Sequence, residues 1–142
     1  MTAKEYFIHI AQIAQSKKYL ARAIEDLREE SAAIGGFDYA KPVVQTSPKN
    51  TLEDKAIRLV EAIDKYEKVS VQYAKEILEA EERVAQLSRP IYSRVIRLRY
   101  FNGMHSWGWV ADELGYSEIQ SKRLLYSACA EFEDKFLREN ET

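Results

Sequence analysis

Residues 113–127, ELGYSEIQSKRLLYS, combine residue types and a spacing that suit molecular recognition. Gly115 breaks one predicted helix, and Ser117 begins the next with Gln120 three residues later, which is the spacing of a capping box. The outward side of the second helix carries an acceptor, an apolar group, two cations and a phenol: Glu118, Ile119, Lys122, Arg123 and Tyr126. Such a turn between two helices has the shape of an element that lies in a DNA groove.

The other residues that could do chemistry do not form a catalytic or metal-binding pattern. His9 and His105 are the only histidines and Cys129 is the only thiol, so we expect no metal site. No arrangement of Ser, His and Asp and no nucleotide-binding loop occurs. We therefore predict a protein that is not an enzyme and has no cofactor. Cys129 is expected to behave as a small buried hydrophobe.

Composition favours an all-α fold. The 142 residues are 46% hydrophobic, with three prolines and five glycines, and the net charge is −2. This charge argues against a protein that coats nucleic acid without sequence preference. The chain lacks a run of about 18 apolar residues, and its first thirty residues carry charges at helical spacing. With a single cysteine, these features predict a cytoplasmic protein without membrane contact.

Two long stretches have the alternating three- and four-residue spacing of a coiled-coil seam. The first seam is Tyr6, Ile10, Ile13, Lys17, Leu20, Ile24, Leu27, Ser31 and Ile34. The second is Leu52, Ala56, Leu59, Ile63, Tyr66, Ser70, Tyr73, Ile77, Ala80, Val84 and Leu87. Both helices would be about 45 to 55 Å long. Matching lengths predict an N-terminal coiled-coil hairpin over residues 1–87, with a loop at residues 35–50.

An isolated hairpin of this kind leaves some apolar side chains uncovered, namely Phe7, Val60, Val69, Val71 and Leu78. We expect either the C-terminal module or a second copy of the chain to cover them, so a homodimer is one of two alternatives. In the loop, Phe37 and Tyr39 either pack against the end of the hairpin or dock another protein. Trp109 falls on the outward side of its predicted helix, where it either covers the hairpin or is a third candidate contact with a partner.

Residues 88–142 predict three shorter helices that form a helix-turn-helix module. Ser88, Ser106 and Ser117 are the expected caps, with the third helix running over residues 118–130. Ala111 suits the close crossing of the last two helices, and Gly115 supplies the positive φ of the turn. Four residues are expected on the buried side: Val110, Leu114, Tyr116 and Leu124. Ser121 stands where this pattern usually has an aliphatic residue.

Residues 94–124, RVIRLRYFNGMHSWGWVADELGYSEIQSKRL, resemble the region-four domain of bacterial sigma factors, which reads the promoter −35 element. The matching features are Leu98-Arg99-Tyr100 before a glycine turn, Ser106-Trp107, Val110-Ala111, Glu113-Leu114-Gly115-Tyr116-Ser117 and a later basic pair. The whole chain, including VVQTSPKNTLEDKAI before a long helix, resembles small sigma-like transcriptional regulators of phages and prophages of Gram-positive bacteria, the autolysin-regulator and late-gene-activator group. No segment resembles the sigma parts that melt DNA.

This resemblance implies that the start of the third helix reads bases. On that basis Arg123 would bind guanine, Glu118 would accept a hydrogen bond from cytosine and Ile119 would touch a thymine methyl group. Gln120 would form a pair of hydrogen bonds with adenine. Lys122 has the same charge as the corresponding residue of the family, and Tyr126 lies on the same face of the helix. The helix amino ends at Ser106 and Ser117 would each bind a phosphate. Because Glu118 replaces a frequent arginine and Ile119 a polar residue, the DNA site would differ from a sigma site.

Local charge predicts weak binding by one module. Residues 88–130 contain six basic and three acidic residues, whereas residues 131–142 contain two basic and five acidic ones. We therefore expect a sequence-specific regulator of phage or prophage genes that binds double-stranded DNA with help from a second copy or RNA polymerase. Two alternatives remain open. One is a DNA-packaging factor like a small terminase subunit, and the other is an adaptor that contacts RNA polymerase without binding DNA.

Overall fold

The computed structural model describes residues 1–35 and 52–138, including their side chains except those of residues 31–35. These residues form α1 (Ala3–Gly35), α2 (Leu52–Val84), α3 (Pro90–Tyr100), α4 (Trp107–Leu114) and α5 (Glu118–Phe132). A π-helical turn, Glu133–Leu137, follows α5. The predicted all-α fold, a long helix pair followed by a helical module, is confirmed. The predicted loop contacts Phe37 and Tyr39 lie outside the described residues.

Contacts divide the chain into two compact units. The larger unit contains Met1–Gln15 and Val71–Thr142, and the smaller one contains Ser16–Ser70. Each long helix therefore contributes to both units. This division does not coincide with the predicted boundary between residues 87 and 88, and the assignment of residues 1–87 and 88–142 to separate domains stays a prediction.

The core of the larger unit is built around Phe7. Its ring stacks on that of Tyr100, with centroids 5.6 Å apart and an interplanar angle of 18°, and also packs against the ring of Phe132. Val95 and Val110 are buried in the same core. Helices α3, α4 and α5 therefore cover the side chain that a hairpin alone would leave exposed. Burial of the Phe7 side chain contributes roughly 2 to 3 kcal/mol.

Polar contacts also join α1 to α2, and α2 to the module, within the larger unit. His9 Nε2 lies 2.8 Å from Glu76 Oε1, which joins α1 to α2. Tyr73 donates its hydroxyl proton to the Phe101 carbonyl at 2.5 Å, and the Ser93 hydroxyl donates to the Val84 carbonyl at 2.7 Å. The Val84 carbonyl also accepts from the Leu87 N–H at 3.2 Å, so Ser93 adds a second bond at the end of α2.

The start of α3 differs from the sequence prediction, in which Ser88 caps the helix. Arg89 occupies the N-cap position in an extended conformation (φ −123°, ψ 133°), with Pro90 as the first helical residue. Proline disfavours helical geometry in the residue before it, so that residue becomes the N-cap. Ser88 instead bonds to Glu131: its N–H donates to Oε2 at 2.7 Å and its hydroxyl donates to Oε1.

The smaller unit contains the C-terminal part of α1 and the N-terminal part of α2. Ile24 and Ala62 are buried there, and Lys55 Nζ lies 3.8 Å from Glu30 Oε2. Val60 is exposed in this unit, and Val71 and Leu78 are exposed in the larger one. The described part of the chain does not cover these three side chains, so the homodimer stays a prediction. No helix in residues 1–35 and 52–138 has the length and apolar content needed to cross a membrane.

Candidate nucleic-acid interface

The turn between α4 and α5 follows from local sequence. The Ser106 side chain accepts a hydrogen bond from the Trp109 N–H at 3.2 Å and so caps α4. Gly115 ends α4 in the left-handed region, with φ 76° and ψ 23°, and its N–H donates to the Ala111 carbonyl at 2.9 Å. Only glycine adopts this conformation without a steric cost. The predicted cap and the predicted glycine turn are confirmed.

The predicted capping box at the start of α5 is also confirmed, and it constrains one predicted reader. Ser117 Oγ accepts from the Gln120 N–H at 3.1 Å, while Gln120 Oε1 accepts from the Ser117 N–H at 3.4 Å. The Gln120 amide oxygen therefore has a partner within its own helix. Bracketing an adenine would require this side chain to leave the cap, because the same oxygen is needed for both contacts.

Small residues lie at the crossing of α4 and α5. Ala111 and Ser121 are both buried, and Ser121 is fully enclosed. The Ser121 hydroxyl donates to the Ser117 carbonyl at 2.8 Å, so its burial leaves no unsatisfied polar atom. A serine is thus accommodated in the expected aliphatic position because its hydroxyl bonds within α5.

One face of α5 is uncovered. Ile119 is 65% exposed and Tyr126 is 79% exposed, and Glu118, Lys122 and Arg123 are also exposed. The five predicted outward residues therefore share the exposed surface of one helix. Tyr116 was predicted on the buried side, and this prediction is wrong because the side chain is 46% exposed. It follows Gly115, whose left-handed conformation directs the chain away from the core at this point.

Glu118 lies beside the amino end of α4. A methyl group added at Gly108, in the first turn of α4, would meet Glu118 Oε1 at 3.4 Å. The positive end of the helix dipole favours a carboxylate at this position. The same amino end was predicted to hold a phosphate through Ser106, so Glu118 would compete with a phosphate there.

Cations lie on both sides of α5. On one side a shallow hollow of about 290 Å³ is lined by Arg89 and Arg123, and the Arg89 guanidinium lies 5.1 Å from the centre of the Tyr92 ring. On the other side Lys122 Nζ lies 5.9 Å and the Arg99 guanidinium 4.6 Å from the centre of the Trp107 ring. Sequence reasoning counted Arg89 and Arg99 in the charge balance but did not assign them to the site.

Trp109 lies on the exposed side of α4, as predicted. Its ring is 41% exposed and lies 4.3 Å from the His105 ring, at an interplanar angle of 30°. The His105 N–H donates to the Arg99 carbonyl, which fixes the turn before α4. Trp109 is thus held by a neighbour in its own unit, and its role as a partner contact stays a prediction.

Two side chains of α5, those of Cys129 and Glu131, have shifted pKa values. Burial, and secondarily the charge of Glu133, raises the pKa of the Cys129 thiol to about 12. The Cys129 side chain is half-buried rather than fully buried, and it lines a cavity beside α5. Hydrogen bonds from the Ser88 hydroxyl and N–H lower the pKa of Glu131. In residues 1–35 and 52–138, no three His, Cys, Asp or Glu side chains are placed to hold a metal ion.

Comparisons with protein-family models, with curated proteins and with solved structures found no match for this chain. Functional inference therefore rests on the geometry of α4, α5 and their surroundings, and the resemblance to sigma region four stays a prediction.

Proposed function

We propose that the chain is a sequence-specific DNA-binding protein that places α5 in the major groove and regulates transcription of phage or prophage genes. The observation that carries this proposal is the uncovered face of α5, which has mixed chemistry and cations on both sides. Glu118, Lys122 and Arg123 form no ion pair among the described residues, so the charged groups of this face remain available to a ligand.

Adjacent cations on α5 point in different directions. Lys122 lines the cavity beside Trp107, whereas Arg123 lines the hollow beside Arg89. A major groove about 12 Å wide admits one helix, and a row of phosphates runs along each side of it. Cations on both sides of an inserted helix can therefore reach both strands, which positions the helix before any base is read.

The residues between these cations suit base recognition. Exposed Ile119 can contact a thymine methyl group, and the Glu118 carboxylate can accept a hydrogen bond from cytosine N4. Arg123 can either bind a guanine edge or hold a phosphate. The Ser117 amino end of α5 adds N–H donors for a backbone phosphate.

The modest charge surplus limits affinity. Residues 88–130 have three more basic than acidic residues, and Glu118 faces the same surface. Neutralising only a few phosphates gives weak binding that falls further with salt. We therefore expect useful affinity only when a second copy or RNA polymerase contributes contacts.

The test is a selection of bound duplexes from a random-sequence pool, followed by gel retardation with the enriched sequence. Lys122→Ala combined with Arg123→Ala should abolish retardation, because both cations are lost from the α5 face. Lys65→Ala combined with Lys75→Ala is the matched control, since it removes the same charge from exposed positions on α2. Circular dichroism should show both variants folded.

Four outcomes would each count against a part of this proposal. A pool with no enriched sequence, or unchanged binding by the Lys122 and Arg123 variant, would favour the adaptor function. Ring-sized oligomers in sedimentation would favour DNA packaging. Nanomolar binding by a strict monomer at roughly 200 mM salt would contradict the expected need for a partner.

A further inference from the structure

A cavity of about 530 Å³ lies beside α5 within the larger unit. Tyr100 and Leu125 form its buried floor, and Trp107 and Tyr126 contribute aromatic walls. This volume is within the range of about 300 to 1,000 Å³ that is typical of small-molecule sites. Aromatic side chains with few polar groups are the usual lining of a site for a planar ligand.

The charge of the cavity favours an anion. Lys4, Arg99 and Lys122 line it, and none of them forms an ion pair with another residue of the described chain. The carboxylate in the lining is that of Glu133, whose Oε1 already accepts from the Ala3 N–H at 2.8 Å. Three positive charges against one negative charge leave the lining with a formal net charge of +2.

Arg99 provides a second, independent indication of a missing partner. Its guanidinium stacks on the Trp107 ring and donates from Nη1 to the His105 carbonyl. Its Nε atom is buried and has no hydrogen-bond partner in the described structure. No carboxylate of the described chain pairs with this guanidinium, so an anion bound in the cavity would be attracted to its charge.

We propose that this cavity binds a small molecule that combines a planar aromatic ring with an anionic group. The ring lies against Trp107 and Tyr126, and the anion is held by Lys122 and Arg99. The Arg99 guanidinium stacks on the Trp107 indole, and the ligand ring stacks with them. This arrangement places the anionic group of the ligand beside Lys122 and Arg99, so neither the anion nor the cations lie in an apolar environment. Lys4 at the start of α1 adds a third positive charge at the rim.

Occupancy of the cavity would also affect DNA binding, a consequence that rests on the proposed function. Lys122 and Tyr126 belong both to the cavity and to the exposed face of α5. A bound anion would hold Lys122 away from DNA phosphates and place negative charge beside the groove. The ligand would therefore weaken DNA binding.

The first experiment titrates the full chain, without DNA, with adenosine monophosphate, adenosine and inorganic phosphate. Indole-3-acetate serves as a second ring with an anionic group. Calorimetry and the Trp107 indole N–H resonance report binding. We expect one saturable site for adenosine monophosphate, with an affinity about tenfold above that of adenosine or phosphate alone.

Absence of saturable binding by both ring-bearing anions up to roughly 10 mM would overturn the proposal. Equal affinity for phosphate alone would also overturn it, because the ring would then contribute nothing.

Variants locate the site. Lys122→Gln and Lys4→Gln should each weaken adenosine monophosphate binding by about fivefold to tenfold. Lys75→Gln is the matched control, because this exposed lysine lies on α2 and does not line the cavity. All three positions are exposed, so the variants should fold. Equal binding by Lys122→Gln and Lys75→Gln would place the ligand elsewhere and overturn the assignment.

A final arm adds adenosine monophosphate at saturation to the protein bound to its selected duplex. We expect the fraction of bound DNA to fall. An unchanged fraction would overturn the coupling to DNA. If no duplex is selected at all, the proposed function fails while the ligand titration still decides the cavity assignment, so the two failures are distinguishable.

Discussion

Phe7, in the second turn of α1, packs against Phe132, in the last turn of α5, with ring centroids 4.7 Å apart. Both side chains are fully buried. The start of the chain therefore completes the core that supports the proposed recognition helix. The position and stability of α5 depend on a residue more than one hundred positions away in sequence.

Replacing Phe7 with alanine should destabilise the fold by about 3 to 5 kcal/mol, because it removes a fully buried aromatic ring and leaves a cavity. Urea unfolding followed by circular dichroism would measure the change. Val71→Ala is the control: its side chain is 71% exposed, and we expect a change within about 0.5 kcal/mol. Equal effects of the two substitutions would show that the start of α1 does not support the core.

Gly115→Ala should destabilise the protein by about 1 to 2 kcal/mol, because an L-residue with a side chain is strained at φ 76°. A methyl group there would meet no atom of another residue within 4 Å, leaving out the two chain neighbours, so the cost comes from the local backbone conformation. Gly108→Ala is the contrasting control, since Gly108 lies inside α4 and alanine favours helix by up to about 1 kcal/mol. Thermal unfolding of both variants would compare them, and a loss of stability in Gly108→Ala alone would contradict this account.

Glu118→Gln should raise the affinity for a non-specific duplex by about twofold to fivefold, because it removes a negative charge from the α5 face. With the selected duplex, the preference for one base should weaken at any base pair that the Glu118 carboxylate contacts. Fluorescence anisotropy at fixed salt would measure both effects. Glu82→Gln changes the same charge at an exposed position on α2 and should leave both unchanged. An unchanged non-specific affinity in Glu118→Gln, as in Glu82→Gln, would indicate that the carboxylate does not face DNA.

Stability should fall at alkaline pH, and Cys129 should set where the fall begins. Burial raises the pKa of its thiol from the usual 9.0 to about 12 in the folded chain. The thiol ionises less readily in the folded chain than in the unfolded chain. The free energy of unfolding is therefore unaffected below pH 9 and falls as the pH rises from 9 toward 12. Burial also raises the pKa values of Tyr6, Tyr73 and Tyr100 above 10.0. These three tyrosines therefore lower the free energy of unfolding only at higher pH than Cys129 does.

The measurement is the free energy of unfolding from urea titrations between about pH 7 and pH 11. Cys129→Ala should move the onset of the decline from about pH 9 to about pH 10, where the tyrosines begin to titrate. A constant offset from lost packing does not affect this onset. The same onset in the variant and the original chain would exclude Cys129 as its cause.

The sequence by itself determined the local features of the site. The Ser106 cap, the Ser117 and Gln120 capping box and the glycine turn each depend on residues within about four positions of one another. The exposed face of α5 likewise follows from helical periodicity. Ser88 does not cap α3, because Pro90 makes Arg89 the N-cap and Ser88 bonds to Glu131, which is far away in sequence.

Tertiary structure alone decided which distant residues meet. Phe7 could have been covered by the module or by a second chain, and only the packing of α1 against α3 and α5 distinguished these alternatives in favour of the module. The cavity beside α5 combines Lys4, Arg99 and Lys122 from three different helices, so no local spacing could predict it. Periodicity specifies which face of a helix is apolar, but not which other element covers that face, because many pairings bury similar apolar area.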